Sequence, residues 1–159
     1  MADANKVFFG LSNVHIAFRT DTLADENPTW GTPVAVPGAV GFAPDAENEE
    51  YIFYADNGVY YATYSENGYT GGLEMAKFPD ALLAEMFGWL QDSLGGLLET
   101  NDSPHKDFAM MAQVEGNVNG RRIVWYNCSG GKPSQEFSTT EEGVEVQTQT
   151  MPITITPIK

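Results

Sequence analysis

Tyr51-Ile52-Phe53-Tyr54-Ala55-Asp56-Asn57-Gly58-Val59-Tyr60-Tyr61-Ala62-Thr63-Tyr64 sets two aromatic and β-branched runs on either side of Asp-Asn-Gly. Asn-Gly supplies the positive φ that a tight hairpin turn needs, and its flanks have the residue types that suit a pleated surface, so this stretch predicts a β-hairpin. An antiparallel β fold follows if the rest of the chain repeats the pattern.

Working outward, it largely does. Asn67-Gly68 predicts a second turn, and Tyr69 to Phe78 a further strand with Leu73 and Met75 on one face. Val7-Phe8-Phe9 and Val14-His15-Ile16-Ala17-Phe18 read as one bent or two short strands around Gly10. Val34 to Phe42 is confined by Pro33 and Pro37 to an edge or a bend. Phe108 to Val114 and Ile123 to Cys128 bracket Gly116-Asn117-Val118-Asn119-Gly120 as a second hairpin. Val144 to Thr150 alternates apolar and polar residues, and Ile153-Thr154-Ile155-Thr156 resumes the alternation after Pro152, giving a late, half-exposed strand.

One segment changes period. After Pro79, residues Leu82, Leu83, Met86, Phe87 and Leu90 fall at helical spacing, with Asp80 at the positive end of the dipole and Gly95-Gly96 as a stop. A helix over about 79–94 is predicted. About seven strands and one helix make a mainly β fold, an antiparallel sandwich or barrel with one flanking helix. The 159 residues fit a single domain.

The chain carries 22 acidic and 8 basic residues, a formal net charge of −14. Such a surface repels nucleic acid, because DNA binding requires Lys and Arg to displace counterions. Cys128 is the only cysteine, so no intrachain disulfide forms. The start, Met1-Ala2-Asp3-Ala4-Asn5-Lys6, lacks the pattern of a signal peptide, and no apolar run reaches the roughly 20 residues that a spanning helix needs. Synthesis in the cytoplasm, with no membrane partner, is the expectation.

Signs of catalysis are weak. His15 in a strand and His105 in a loop read as structural, and Cys128 as a small buried apolar residue. Two His and one Cys do not supply a standard zinc site. Asp45, Glu47, Glu49 and Glu50 lack the glycine-punctuated spacing of a calcium loop and read as a solvated acidic loop. Gly130-Gly131-Lys132-Pro133-Ser134 lacks the spacing of a phosphate loop. No enzyme activity, cofactor or metal is expected.

Taken together, Val7 to His15, Trp30 to Val40, Phe53 to Asn57 with Tyr60-Tyr61, Asn67 to Glu74 leading into Pro79-Asp80, Tyr126-Asn127-Cys128 and the Thr-rich ending from Val144 to Pro157 carry a resemblance. The chain resembles the siphophage major tail proteins of the phi13 and TP901-1 type over nearly its full length. The resemblance implies a tail-tube fold, hexameric rings that stack into a tube for DNA passage in a long non-contractile tail, and residence in the virion tail after assembly in the host cytoplasm. It implies as partners other copies of the chain, the tape measure protein, and the tail terminator and distal tail proteins, with DNA only in transit. Some relatives carry an additional immunoglobulin-like domain; the expectation for these 159 residues is the tube domain without one.

Within that expectation, Glu145, Gln147, Thr148, Gln149 and Thr150 are lumen candidates because they alternate on a late strand. Polar loops supply the inter-ring or inter-subunit candidates Asp21, Asp25, Glu26, Trp30, Asp45, Glu47, Glu49, Glu50, Lys132, Glu136 and Phe137. The competing expectation is a monomeric β-sandwich that binds carbohydrate on Tyr60, Tyr61, Tyr64 and Trp125.

Overall fold

The computed structural model describes residues 9–21, 27–102, 104–116 and 120–158. Among them are ten strands and one helix. In chain order these are β1 (Leu11–Phe18), β2 (Val34–Ala35), β3 (Ala39–Phe42), β4 (Asp45–Ala55), β5 (Gly58–Met75), α1 (Asp80–Phe87), β6 (Leu90–Gln91), β7 (Leu97–Leu98), β8 (Phe108–Val114), β9 (Arg122–Gly130) and β10 (Gln149–Ile155). The mainly β antiparallel architecture with one helix is as the sequence predicts.

The main sheet runs β2-β1-β8-β9-β10-β5-β3, with β4 also paired to β5. Its two ends meet. β2 and β3 belong to one segment, and between them Val36 N donates to Val14 O at 2.8 Å on the β1 side while Gly38 O accepts from Ala76 N at 2.8 Å on the β5 side. The segment bent by Pro33 and Pro37 therefore bridges both ends and rolls the sheet closed, which hides its edges as a barrel does.

The inside is set by alternation along each strand. Val14 and Ile16 of β1, Leu73 and Met75 of β5, Phe108 and Met110 of β8, and Met151, Ile153 and Ile155 of β10 all face inward and are buried. The helix adds Leu82, Leu83, Met86 and Phe87 to the same core. Each such side chain contributes about 1.5–3 kcal/mol by leaving water, so the short helix is held by its stripe rather than by propensity.

Three sequence expectations are corrected here. The helix ends at Phe87, not near residue 94, because Gly88 takes a left-handed conformation (φ 65) that closes the last turn. Leu90 then pairs with Leu98 in the small β6–β7 hairpin, where the side chain of Asp92 accepts from the amides of Leu94 and Gly96. Asn67-Gly68 is not a turn. β5 runs unbroken from Gly58 to Met75, and the pairing slips between Ala46 and Asn48, so these two residues form a bulge within it, with Gly68 at φ 102.

The late strand begins only at Gln149, leaving 144–148 irregular. Val144 and Val146 are exposed and no strand pairs with them, so their alternation has nothing to pack against. Inside β10, Pro152 pairs with Gly72 of β5, and its carbonyl accepts from Gly131 N at 2.8 Å on the opposite side. Its missing amide thus faces the irregular chain after β9, which is where a sheet tolerates proline. Val7 and Phe8 lie outside the described residues.

Candidate functional site

The predicted hairpin forms, and it is much longer than its turn suggested. Asp56 (φ 52) and Asn57 (φ 61) are the two central turn residues, and Ala55 pairs with Gly58. Both central residues adopt positive φ, the geometry that matches the twist of flanking strands. The turn is thus Asp-Asn rather than Asn-Gly, one residue earlier than the sequence reading.

Asp45 to Glu50 is not a loop. These residues open β4, with Asp45 opposite Thr70, Glu49 opposite Ser65 and Glu50 opposite Tyr64. Two contacts support the acidic stretch locally: Thr70 Oγ1 donates to Glu47 Oε1 at 2.7 Å, and the Tyr51 hydroxyl donates to Glu49 Oε2 at 2.9 Å. The Glu49 carboxylate holds the Tyr51 phenol above its ordinary pKa of 10.0, since the bonded proton is harder to release. An acidic run can occupy a strand here because both faces of the strand meet water.

Only Tyr69 to Met75 of β5 pairs with β10, so β4 and the first half of β5 continue past the barrel as a two-stranded ribbon, roughly 35 Å long at strand rise. One ribbon face carries Glu49, Tyr51, Phe53, Tyr61, Thr63 and Ser65; the other carries Asn48, Glu50, Ile52, Tyr54, Val59, Tyr64 and Glu66. Tyr60 is the extra residue of a second bulge, set edge-on to Phe53 with ring centroids 6.3 Å apart. Phe53 is 60% exposed and Tyr60 70%, and Tyr51, Ile52, Tyr54, Val59, Tyr61 and Tyr64 are exposed as well.

This is an unusual thing to leave in water. A two-stranded ribbon is marginal by itself, and a contiguous exposed aromatic surface of this extent marks an interaction site. Both long edges of the ribbon beyond Tyr69 also carry backbone groups that β4 and β5 do not satisfy in each other, the template for adding a strand from another molecule.

The other site residues expected from sequence are scattered. Gln149 shares the inward parity of Met151, and its Oε1 accepts from Phe78 N at 2.8 Å, fixing the entry to α1. Thr148 lies just before the strand and donates to Glu74 Oε1 at 2.7 Å. Gln147 meets Ser138, and Glu145 is exposed in the irregular segment. Of the five, Thr150 alone is exposed on the outward face of β10, along with Thr154.

Among the loop candidates, Asp21 is tied to Arg19 by two bonds, Nε to Oδ1 at 2.7 Å and Nη2 to Oδ2 at 2.9 Å. The Arg19 guanidinium holds its carboxyl below the ordinary 3.8. Trp30 leans on Tyr126 with centroids 5.3 Å apart. Lys132 pairs with Glu99 at 2.6 Å and lies over the Trp89 ring. Glu136 and Phe137 are exposed, Phe137 almost fully. Asp25 and Glu26 lie outside the described residues.

Tyr60, Tyr61 and Tyr64 come together on the ribbon, with Tyr64 on the opposite face from Tyr61. Trp125 does not join them, since it faces inward and packs edge-on against Phe42 at 5.1 Å. Among the described residues no helix is long and apolar enough to cross a membrane. No family model matches the chain, and no curated protein matches it.

Proposed function

We propose that this chain is the major tail protein of a long non-contractile phage tail, a structural subunit that assembles with copies of itself into stacked rings, hexameric by resemblance, around a lumen for DNA. One observation carries the reading: a closed, fully cored barrel projects a ribbon whose aromatic surfaces and strand edges are unsatisfied in the single chain. A subunit with nothing to bind would lose solubility by displaying such a surface; a subunit of a polymer uses it.

The charge fits the task. A wall rich in carboxylates and neutral hydroxyls gives passing phosphates no counter-charge, and −14 per chain supplies the carboxylates. Like charges also oppose assembly, so salt promotes it by screening within about 10 Å. Residence in the virion tail, and contacts with the tape measure, terminator and distal tail proteins, go with this reading.

Electron microscopy of the concentrated protein across a salt series is the test, and tubes of uniform width are the expected result. A chain that sediments as a monomer at every concentration, and binds glycans through its ribbon tyrosines, would replace the proposal with the carbohydrate-binding reading.

A further inference from the structure

The outward face of β1, β8 and β9 holds a hollow of about 550 Å³, bordered by Asn13, His15, Pro33, Met111, Arg122 and Val124. Strand register explains it. Val124 pairs with Met111, which pairs with His15, so the row across three strands is apolar on β9 and β8 and ends at an imidazole on β1; Arg122 pairs with Gln113 in the next row. A bulge between Ser12 and His15 puts Asn13 in the left-handed region (φ 51), where its Nδ2 donates to Gln113 Oε1 at 3.0 Å and its carbonyl meets His15 Nδ1 at 2.9 Å. Bulges of this kind re-aim side chains, and here the result is a concave apolar floor with a guanidinium and an imidazole at its margins.

In a chain with only 8 basic residues, a cation beside an exposed apolar floor is a specific feature. Among the described residues Arg122 makes no salt bridge, and it is exposed. The ribbon offers the complement. Its Ile52 face carries an apolar row of Ile52, Tyr54, Val59 and Tyr64, with the carboxylates of Glu50 and Glu66 beside it.

We infer that this hollow is the acceptor site for the Ile52 face of the ribbon of a second copy of the chain, with Glu50 or Glu66 meeting Arg122. The inference rests on the self-assembly reading and deepens it by naming both surfaces. The contact is heterologous: each copy donates a ribbon and accepts another, so it propagates, as a ring or stack requires. The opposed charges select the register, while the apolar rows exclude water from the contact.

Two variants test this at fixed ionic strength, with assembly followed by sedimentation. Arg122→Glu raises the concentration needed for assembly at least about tenfold, and Arg122→Glu combined with Glu50→Arg and Glu66→Arg recovers most of the loss. Independently, Ile52→Cys together with Val124→Cys gives a disulfide-linked ladder on mild oxidation, and buried Cys128 does not compete. The ladder decides the matter even if a charge variant fails to fold. Assembly that proceeds without a ladder and is indifferent to Arg122→Glu overturns the docking site and leaves self-assembly standing; a parent chain that never assembles overturns both.

Discussion

Gly68 lies directly against the carbonyl of Ile155, where β10 ends and the ribbon leaves the barrel. With φ 102, it holds a conformation that side chains rarely adopt, and a Cβ there would collide with the Ile155 oxygen. Gly68→Ala therefore costs at least about 1–3 kcal/mol for the backbone conformation, with the collision adding to it. The denaturant midpoint of the monomer measures this, and an unchanged midpoint would mean that β5 passes the barrel rim without the bulge.

Cys128 faces inward across from Phe108, and burial pushes its thiol from an ordinary 9.0 up to about 12. The thiolate is the reactive form, so the folded chain resists thiol reagents at neutral pH and labels only on unfolding. The sign follows for stability. Between 9.0 and about 12 the unfolded chain gives up this proton and the folded chain keeps it, so this group's contribution declines as pH rises through that window. Labelling in stoichiometric amount without denaturant would contradict the placement.

The Arg19–Asp21 pair acts at the other end of the pH scale. Asp21 is depressed below 3.8 by its hydrogen bonds to Arg19, so the stabilisation is complete above that value and is lost as pH falls through the lower folded value. Asp21→Asn should lower the melting temperature near pH 7 and make less difference at acid pH low enough to protonate the folded carboxyl. An equal deficit at both pH values would show that the carboxylate charge is not what matters.

These contacts show where the sequence was legible. The hairpin around Asp56 and Asn57 was readable because the turn needs positive φ at both central residues, and few residue types tolerate it. The helix was readable from the spacing of Leu82 to Phe87, though its end was not, since Gly88 competes with the Leu90 that continues the pattern. Asp45 to Glu50 was misread because patterning detects a strand only through its buried face, and this strand has none. The hollow at His15 and Arg122 left no local signal at all, being assembled from β1 and the β8–β9 pair, which lie far apart in sequence.

Gln149 shows the same limit from the other side. Its alternation with Thr148 and Thr150 suggested a surface role, but its side chain supplies the acceptor for Phe78 N, next to a fully buried ring. Gln149→Ala strands that amide and should destabilise the fold by about 1–3 kcal/mol. Gln149→Glu keeps an acceptor oxygen and should cost less. Equal loss in the two variants, measured by urea unfolding, would assign the effect to packing instead.

The ribbon gives the most direct separation of fold from function. Phe53 and Tyr61 face each other across it, exposed and remote from the barrel core, and their cross-strand contact is worth roughly 0.2–1 kcal/mol to the monomer. Replacing both by Ser should leave the far-ultraviolet circular dichroism unchanged and the barrel's melting temperature within a few degrees. The same change removes two large apolar anchors from a surface whose burial would drive association, at about 1.5–3 kcal/mol for each ring covered. Assembly, followed by light scattering under conditions where the parent chain polymerises, should then fall by about two orders of magnitude or vanish, because each subunit contributes the loss at every contact. Asp56→Ala at the turn serves as the contrasting change, since it alters ribbon geometry without removing an aromatic anchor. If the double variant polymerised as readily as its parent, the Phe53 face would have some use other than joining subunits, and the Ile52 face alone would be left to carry the association on which the tube proposal depends.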